Sequence, residues 1–259
     1  MCGVFGFALK EQVSLSKVFK LLERLEAHQY LEELKPVGGF GAGVAVLEKG
    51  DVLFEKVGKV GDASPVRRLA EIFGIEDASI LVGHVRMPSP EFMSSARFRE
   101  TAQPYVVQHD LGQVVVSVHN GKVENYKELR AGLGDACIFE SDRVGLIDSE
   151  VVPHLFARLL DEKQDNEKAL DALFDSLKGS NAIALLQVDE ENAFMHFVHM
   201  GATRGLSIWT NDGGELIFCS RIEPLKEVFG DILNEGGFRE HVCIRWQEKK
   251  NLKLSFCIR

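Results

Sequence analysis

Met1-Cys2-Gly3-Val4-Phe5-Gly6-Phe7 opens the chain, and the rest of the sequence is best read outward from it. Gly3 to Phe7 is an apolar run with two glycines, which predicts a short buried strand. Removal of Met1 would leave Cys2 as the N-terminal residue, with a nucleophile and a base on one residue. Its thiol has an ordinary pKa of about 8.5, and an α-amine at about 7.7–8.0 can carry the proton. A buried strand directly behind Cys2 would hold it in the core instead of letting it fray. A cysteine at position 2 says little alone, so its meaning depends on what accompanies it.

Beyond that strand, Val18, Leu21, Leu22 and Leu25 recur at helical spacing, with Ser14 or Ser16 placed to cap. Val44–Leu47 and Val52–Phe54 flank a Lys49-Gly50-Asp51 turn and read as a hairpin. The glycines from Gly38 to Gly43 precede a strand and not a helix, which excludes a dinucleotide loop. A helix is expected over Pro65–Phe73, a strand over Ser79–His84, and an irregular loop from Met87 to Pro104. Tyr105–Gln108 and Gln113–His119 form a second expected hairpin across His109-Asp110-Leu111-Gly112. Helical patterns cover Ser149–Leu160 and Glu167–Leu177. Strands follow at Ala182–Val188, Ala193–His199, Leu206–Thr210 and Glu215–Cys219, then a short helix at Ile222–Phe229. His241–Trp246 is expected to pair with Leu252–Cys257. Hairpins dominate and helices come in two groups, so an α+β fold is expected: two packed antiparallel sheets with helices outside, in one domain covering 1–259.

With 259 residues, 45% hydrophobic and 27% charged, the composition is that of an ordinary globular protein. The net charge of −9 and the lack of a basic stripe argue against nucleic-acid binding. No stretch approaches the roughly 20 apolar residues of a membrane span, and no signal peptide is read at the start. The cytoplasm is the expected compartment. Five scattered cysteines without CxxC spacing exclude a zinc finger and argue against a disulfide framework. Cys137, Cys219, Cys243 and Cys257 are expected as small buried hydrophobes.

Three further segments carry chemistry. Gly83-His84-Val85-Arg86 ends a predicted strand, and Arg86 offers a planar fork for a carboxylate, although a lone arginine is more often a surface residue. His119-Asn120-Gly121 places a side-chain amide beside a glycine N–H, a two-donor oxyanion hole or else a simple turn. Asp148-Ser149-Glu150 opens a helix, where Asp148 is either an N-cap or a carboxylate for an ammonium group.

Cys2-Gly3-Val4-Phe5-Gly6, Gly83-His84-Val85-Arg86, Thr101-Ala102-Gln103-Pro104-Tyr105, His119-Asn120-Gly121 with Asn125-Tyr126, and Asp148-Ser149-Glu150 occur in one order. In that order they resemble the class II glutamine amidotransferases, a family of N-terminal-nucleophile hydrolases. Phe218 to Leu225 is similar to that family's closing strand and helix. The resemblance implies a four-layer αββα sandwich. It implies that mature Cys2 attacks the glutamine carboxamide with its α-amine as base. Asn120 and the Gly121 N–H would hold the oxyanion, Arg86 the α-carboxylate, and Asp148 the α-ammonium. Ammonia would leave and water would cleave a γ-glutamyl thioester. No cofactor or metal is implied. The partner implied is a separate ammonia-accepting synthase, since the predicted sandwich uses the whole chain. A hydrolase of other γ-glutamyl amides or peptides and a non-catalytic glutamine-binding subunit are the alternatives. The family commonly shows Arg-Gly-x-Asp-x-x-Gly-Ile after its first helix. Here Val37-Gly38-Gly39-Phe40-Gly41-Ala42-Gly43-Val44 stands instead, without the arginine and aspartate, and Met87-Pro88-Ser89 follows Arg86.

Overall fold

Val4, Phe5, Gly6, Phe7 and Ala8 are all buried, and successive side chains of a strand point to opposite faces, so this segment must meet an apolar layer on each side. A computed structural model describing residues 2–108, 112–134 and 137–258 shows both layers. The first half of the chain forms β1 (Gly3–Ser14), α1 (Leu15–Ala27), β2 (Gly41–Glu48), β3 (Asp51–Gly58), α2 (Pro65–Ile72), β4 (Asp77–Arg86), β5 (Tyr105–Gln108) and β6 (Val114–Val123). Next come α3 (Tyr126–Leu133), α4 (Val151–Lys163), α5 (Asn166–Ser176), β7 (Gly179–Val188) and β8 (Ala193–Met200). The chain closes with β9 (Leu206–Thr210), β10 (Leu216–Cys219), α6 (Ile222–Glu235), β11 (Arg239–Ile244) and β12 (Leu252–Ile258).

Two antiparallel sheets result. One runs β11-β9-β10-β1-β4-β2-β3 and the other β12-β8-β7-β6-β5. Three apolar clusters separate four layers. Phe5 and Phe7 pack with Leu21, Leu22 and Leu25 of α1 and Phe229 of α6, outside the larger sheet. Val4 and Ala8 pack with Val116, Val118, Ala184 and Phe197, between the sheets. Ile183 and Leu185 face Phe156, Leu159 and Leu173 of α4 and α5, outside the smaller sheet. Each fully buried Phe or Leu contributes roughly 1.5–3 kcal/mol of burial, which is how short strands and five-turn-or-less helices hold their places. The expected α+β arrangement of two packed antiparallel sheets with helices is the observed one.

Local signals worked where they were strong. Ser14 caps α1 by accepting from the Ser16 N–H, and α2 starts with Pro65 behind the Ser64 cap. Two expectations fail. β11 and β12 do not pair with each other: β11 lies against β9 and β12 against β8, in different sheets. Both present apolar residues to the same inter-sheet layer, Val242 from one side and Leu254, Phe256 and Ile258 from the other. That shared layer made them look like a hairpin. The cysteines also divide. Cys219 is buried, and burial pushes its thiol up to about 12, but Cys137 and Cys243 are only half-buried and Cys257 is exposed. Cys257 sits on β12, an edge strand covered on one face only. The expected hairpin between β5 and β6 forms, with its turn residues His109 to Leu111 outside the described residues.

Candidate active site

Strand register decides which side chains meet. Gly3 pairs with Val85, which sets Cys2 and Arg86 side by side where β1 begins and β4 ends. The approach is close: a Cβ on Gly3 would fall 2.5 Å from Cγ1 of Val37 and 2.9 Å from Cγ2 of Val85. From the facing sheet, β6 brings Asn120 and Gly121 opposite Ala182 and Asn181. The Asn-Gly pair therefore lies inside a strand, not in a turn. Gly121 has φ +148°, and a Cβ there would stand 2.1 Å from the Ser180 carbonyl oxygen. Glycine is the residue that fits.

The sheets meet at Cys2. Its backbone nitrogen donates to Asn120 Oδ1 at 3.0 Å, and its Sγ lies 3.6 Å from the Met87 carbonyl oxygen. Asn120 is fully buried, and its Nδ2 has no hydrogen-bond partner among the described residues. With the oxygen engaged by Cys2, the amide donors are directed elsewhere. An unpaired buried donor is costly, and it is retained where an acceptor arrives during function.

Arg86 is buried, not on the surface. Nη1 donates to the Ala96 carbonyl at 3.2 Å and to Thr101 Oγ1, so the guanidinium also pins the loop between β4 and β5. No carboxylate forms an ion pair with it among the described residues. Burial pulls its pKa below the ordinary value, while Tyr105, Cys2 and Asp148 act in the other direction.

Asp148 is buried as well. It does not cap α4, whose first turn lacks a side-chain cap; instead its Oδ2 accepts from the Val123 N–H at 2.9 Å. Burial raises its pKa to about 6, against the lowering effect of that hydrogen bond. An ordinary cap would be left ionised in water. This carboxylate is buried at the cavity wall, and among the described residues it forms no ion pair, although Lys122 lines the same cavity and lowers its pKa.

Cys2, Arg86, Gly121 and Asp148 line one cavity of about 190 Å³, together with Gln103, His119 and Ser149. The five expected site residues thus come together, four on the cavity wall and Asn120 buried against Cys2. Sequence reasoning assigned no role to several neighbours. Gln103 clamps β6 by accepting from the His119 N–H at 2.6 Å and donating to the His119 carbonyl at 3.1 Å. His119 bridges Ser149 and Asn181. Both residues lay inside quoted motifs, so the signal existed without a geometry to interpret it. Glu33 could not have been found: it is buried and pairs with both Arg204 and Arg221, residues far away in sequence. Among the described residues, no group of three His, Cys, Asp or Glu side chains could hold a metal ion. Among the described residues, no helix is long and apolar enough to cross a membrane.

A family model described as a glutamine amidotransferase domain matches residues 93–227. The glutamine–fructose-6-phosphate aminotransferase (isomerizing) of Chlamydia trachomatis is 29% identical over 77% of this chain and 29% of its own length. The amidophosphoribosyltransferase of Archaeoglobus fulgidus is 31% identical over 73% of this chain and 37% of its own length. The chain therefore spans well under half of these relatives. Among solved structures, an allosteric regulatory enzyme of purine biosynthesis superposes with a TM-score of 0.65 over 94% of this chain and 45% of that one, at 18% identity. The glutamine phosphoribosylpyrophosphate amidotransferase of B. subtilis superposes with a TM-score of 0.60 over 100% of this chain and 49% of that one, also at 18% identity. At that identity the superpositions speak for the fold, a sandwich of two antiparallel sheets between helices, and the family match speaks for descent. This chain belongs to the glutamine amidotransferase domain family.

Proposed function

We propose that residues 1–259 form one glutaminase unit that hydrolyses glutamine to glutamate and ammonia with Cys2 as nucleophile. The observation that supports this most is the shared cavity, where a thiol, a buried cation and a buried anion face one small volume. Glutamine is a zwitterion with a carboxamide, and it asks for one fixed cation, one fixed anion and one nucleophile. Arg86 suits the α-carboxylate, Asp148 the α-ammonium, and Cys2 the carboxamide carbon.

The chemistry follows from the hydrogen bonds. Once Met1 is removed, the Cys2 nitrogen is an amine that donates one hydrogen to Asn120 Oδ1 and keeps a lone pair for the thiol proton. The thiolate adds to the amide carbon, and the Asn120 Nδ2 donor and the Gly121 N–H stabilise the oxyanion. The ammonium form of Cys2 returns the proton to the leaving nitrogen, and ammonia departs. Water then adds to the γ-glutamyl thioester, and glutamate leaves with the thiol restored. The ammonia is passed to a separate synthase; that an acceptor exists is supported by the relatives, which are named as a glutamine–fructose-6-phosphate aminotransferase and an amidophosphoribosyltransferase.

The test is a quantitative assay of the purified protein with glutamine. Glutamate and ammonia appear in equal amounts, and Cys2→Ala abolishes both. Faster turnover of γ-glutamyl peptides than of glutamine would favour the broader γ-glutamyl hydrolase. Binding of glutamine without turnover, alone and with candidate acceptors, would favour a non-catalytic subunit.

A further inference from the structure

Asp148, Ser149, His119 and Asn181 are linked in series: the first three line the cavity, and Asn181 is fully buried. His119 is buried, with Nδ1 2.8 Å from Ser149 Oγ and Nε2 3.0 Å from Asn181 Oδ1. The direction of each bond can be deduced. Asn181 Nδ2 donates to the Lys178 carbonyl at 3.3 Å, which turns its oxygen towards His119. An amide oxygen only accepts, so His119 carries its hydrogen on Nε2. Burial lowers the imidazole pKa to about 4, so the ring is neutral near pH 7 and Nδ1 is bare. A bare Nδ1 accepts, and the donor is the Ser149 hydroxyl. That hydroxyl has one hydrogen and two neighbours, and 2.8 Å to His119 prevails over 3.5 Å to Asp148 Oδ1.

Ser149 is thereby held as a one-way acceptor. Its hydrogen is committed to His119 Nδ1, and its lone pairs remain on a side chain that lines the cavity beside Asp148. Asp148 alone is poorly equipped for an ammonium group. One of its oxygens already accepts from the Val123 N–H at 2.9 Å, and an ammonium presents three donors that a single carboxylate cannot all meet with good geometry.

We propose that Ser149 binds the substrate α-ammonium together with Asp148, and that His119 and Asn181 are positioning residues that keep the Ser149 oxygen an acceptor. This rests on reading the cavity as a glutamine site. It adds a specificity determinant: the pair Asp148 and Ser149 selects an amino acid over the same amide lacking its α-amino group.

The experiment compares glutamine with 4-carbamoylbutanoate, which is glutamine without the α-amino group. Ser149→Ala raises KM for glutamine about tenfold and leaves kcat within about twofold, as expected for one lost charge-assisted hydrogen bond. Its kcat/KM on 4-carbamoylbutanoate stays at the wild-type value, so selectivity falls about tenfold. Ser149→Thr, which keeps the hydroxyl, restores selectivity. Ser149→Cys keeps the side-chain shape with a slightly larger atom and replaces the oxygen with a weak acceptor, and it shows the same selective loss should the alanine variant not fold. Equal losses on both substrates, or unchanged selectivity, with an active wild type would overturn this inference alone. A wild type that neither binds nor turns over glutamine would overturn the glutamine-site reading and this inference with it.

Discussion

The Cys2 backbone nitrogen donates to Asn120 Oδ1 at 3.0 Å, a bond that joins the start of β1 in one sheet to β6 in the other. It turns the Asn120 amide so that its acceptor is engaged and its donors are not. The same contact would serve a free α-amine, because one hydrogen is donated and the lone pair stays available. In the proposed mechanism one residue would thus orient the base and, through its other atom, offer a donor to the oxyanion.

Asn120→Ala removes that donor. The expected result is a fall in kcat of roughly 10²–10³ with a much smaller change in KM, as for loss of a single oxyanion donor. Steady-state kinetics with glutamine measure it. A large KM effect with normal kcat would reassign Asn120 to ground-state binding.

Arg86→Lys should act on binding and on the loop together. An ammonium cannot reproduce a planar fork that holds Ala96 and Thr101 and, in the proposed mechanism, the substrate carboxylate, so KM for glutamine should rise about tenfold or more. Limited proteolysis between residues 87 and 102 should accelerate in the same variant. Wild-type KM would mean that the guanidinium serves only the loop.

Asp148 predicts a pH limb. With its pKa near 6 in the folded protein, it protonates as the pH falls through 6 and loses its hold on an ammonium. The kcat/KM for glutamine should therefore drop below pH 6, and Asp148→Asn should show low kcat/KM without that limb. Stability should move the opposite way. The folded state binds the proton more tightly than an unfolded carboxyl, so ionisation costs stability above pH 6 and costs nothing below the ordinary value of 3.8. Asp148→Asn should stabilise the fold by about 3 kcal/mol or less at neutral pH, with the gain vanishing towards pH 4. Denaturation curves at several pH values would decide.

Glu33→Gln leaves Arg204 and Arg221 buried without their carboxylate. Removing one member of a buried ion-paired set costs about 3–5 kcal/mol, so chemical denaturation should show a loss of that order. A change below 1 kcal/mol would mean that water already screens the cluster.

Much of this was legible in the sequence because the decisive signals were local. The apolar run from Gly3 to Phe7, the Ser14 cap and the Lys49-Gly50-Asp51 turn each predict their element from a few residues. The proposed site residues were brought together for another reason: each stands at the end of a strand or in a short motif, so order along the chain carried over into space. What escaped depended on contacts between distant segments. The Glu33 cluster joins residues 171 and 188 positions apart, and no local pattern announces such a pair (204 − 33 and 221 − 33). The sheets of β11 and β12 were lost because both strands face one apolar layer, and periodicity cannot say from which side. Asp148 resembled a helix cap because Asp before a helix usually is one. Only its burial and the Val123 bond show otherwise.

The most direct measurement is the intact mass of the protein before and after incubation with 6-diazo-5-oxo-norleucine, a glutamine analogue with an electrophilic carbon. The expected result is a starting mass lacking one methionine and a single adduct that maps to Cys2 and is suppressed by excess glutamine. Correctly processed protein that gains no adduct, or gains one on Cys137, Cys243 or Cys257 instead, would contradict Cys2 as the nucleophile.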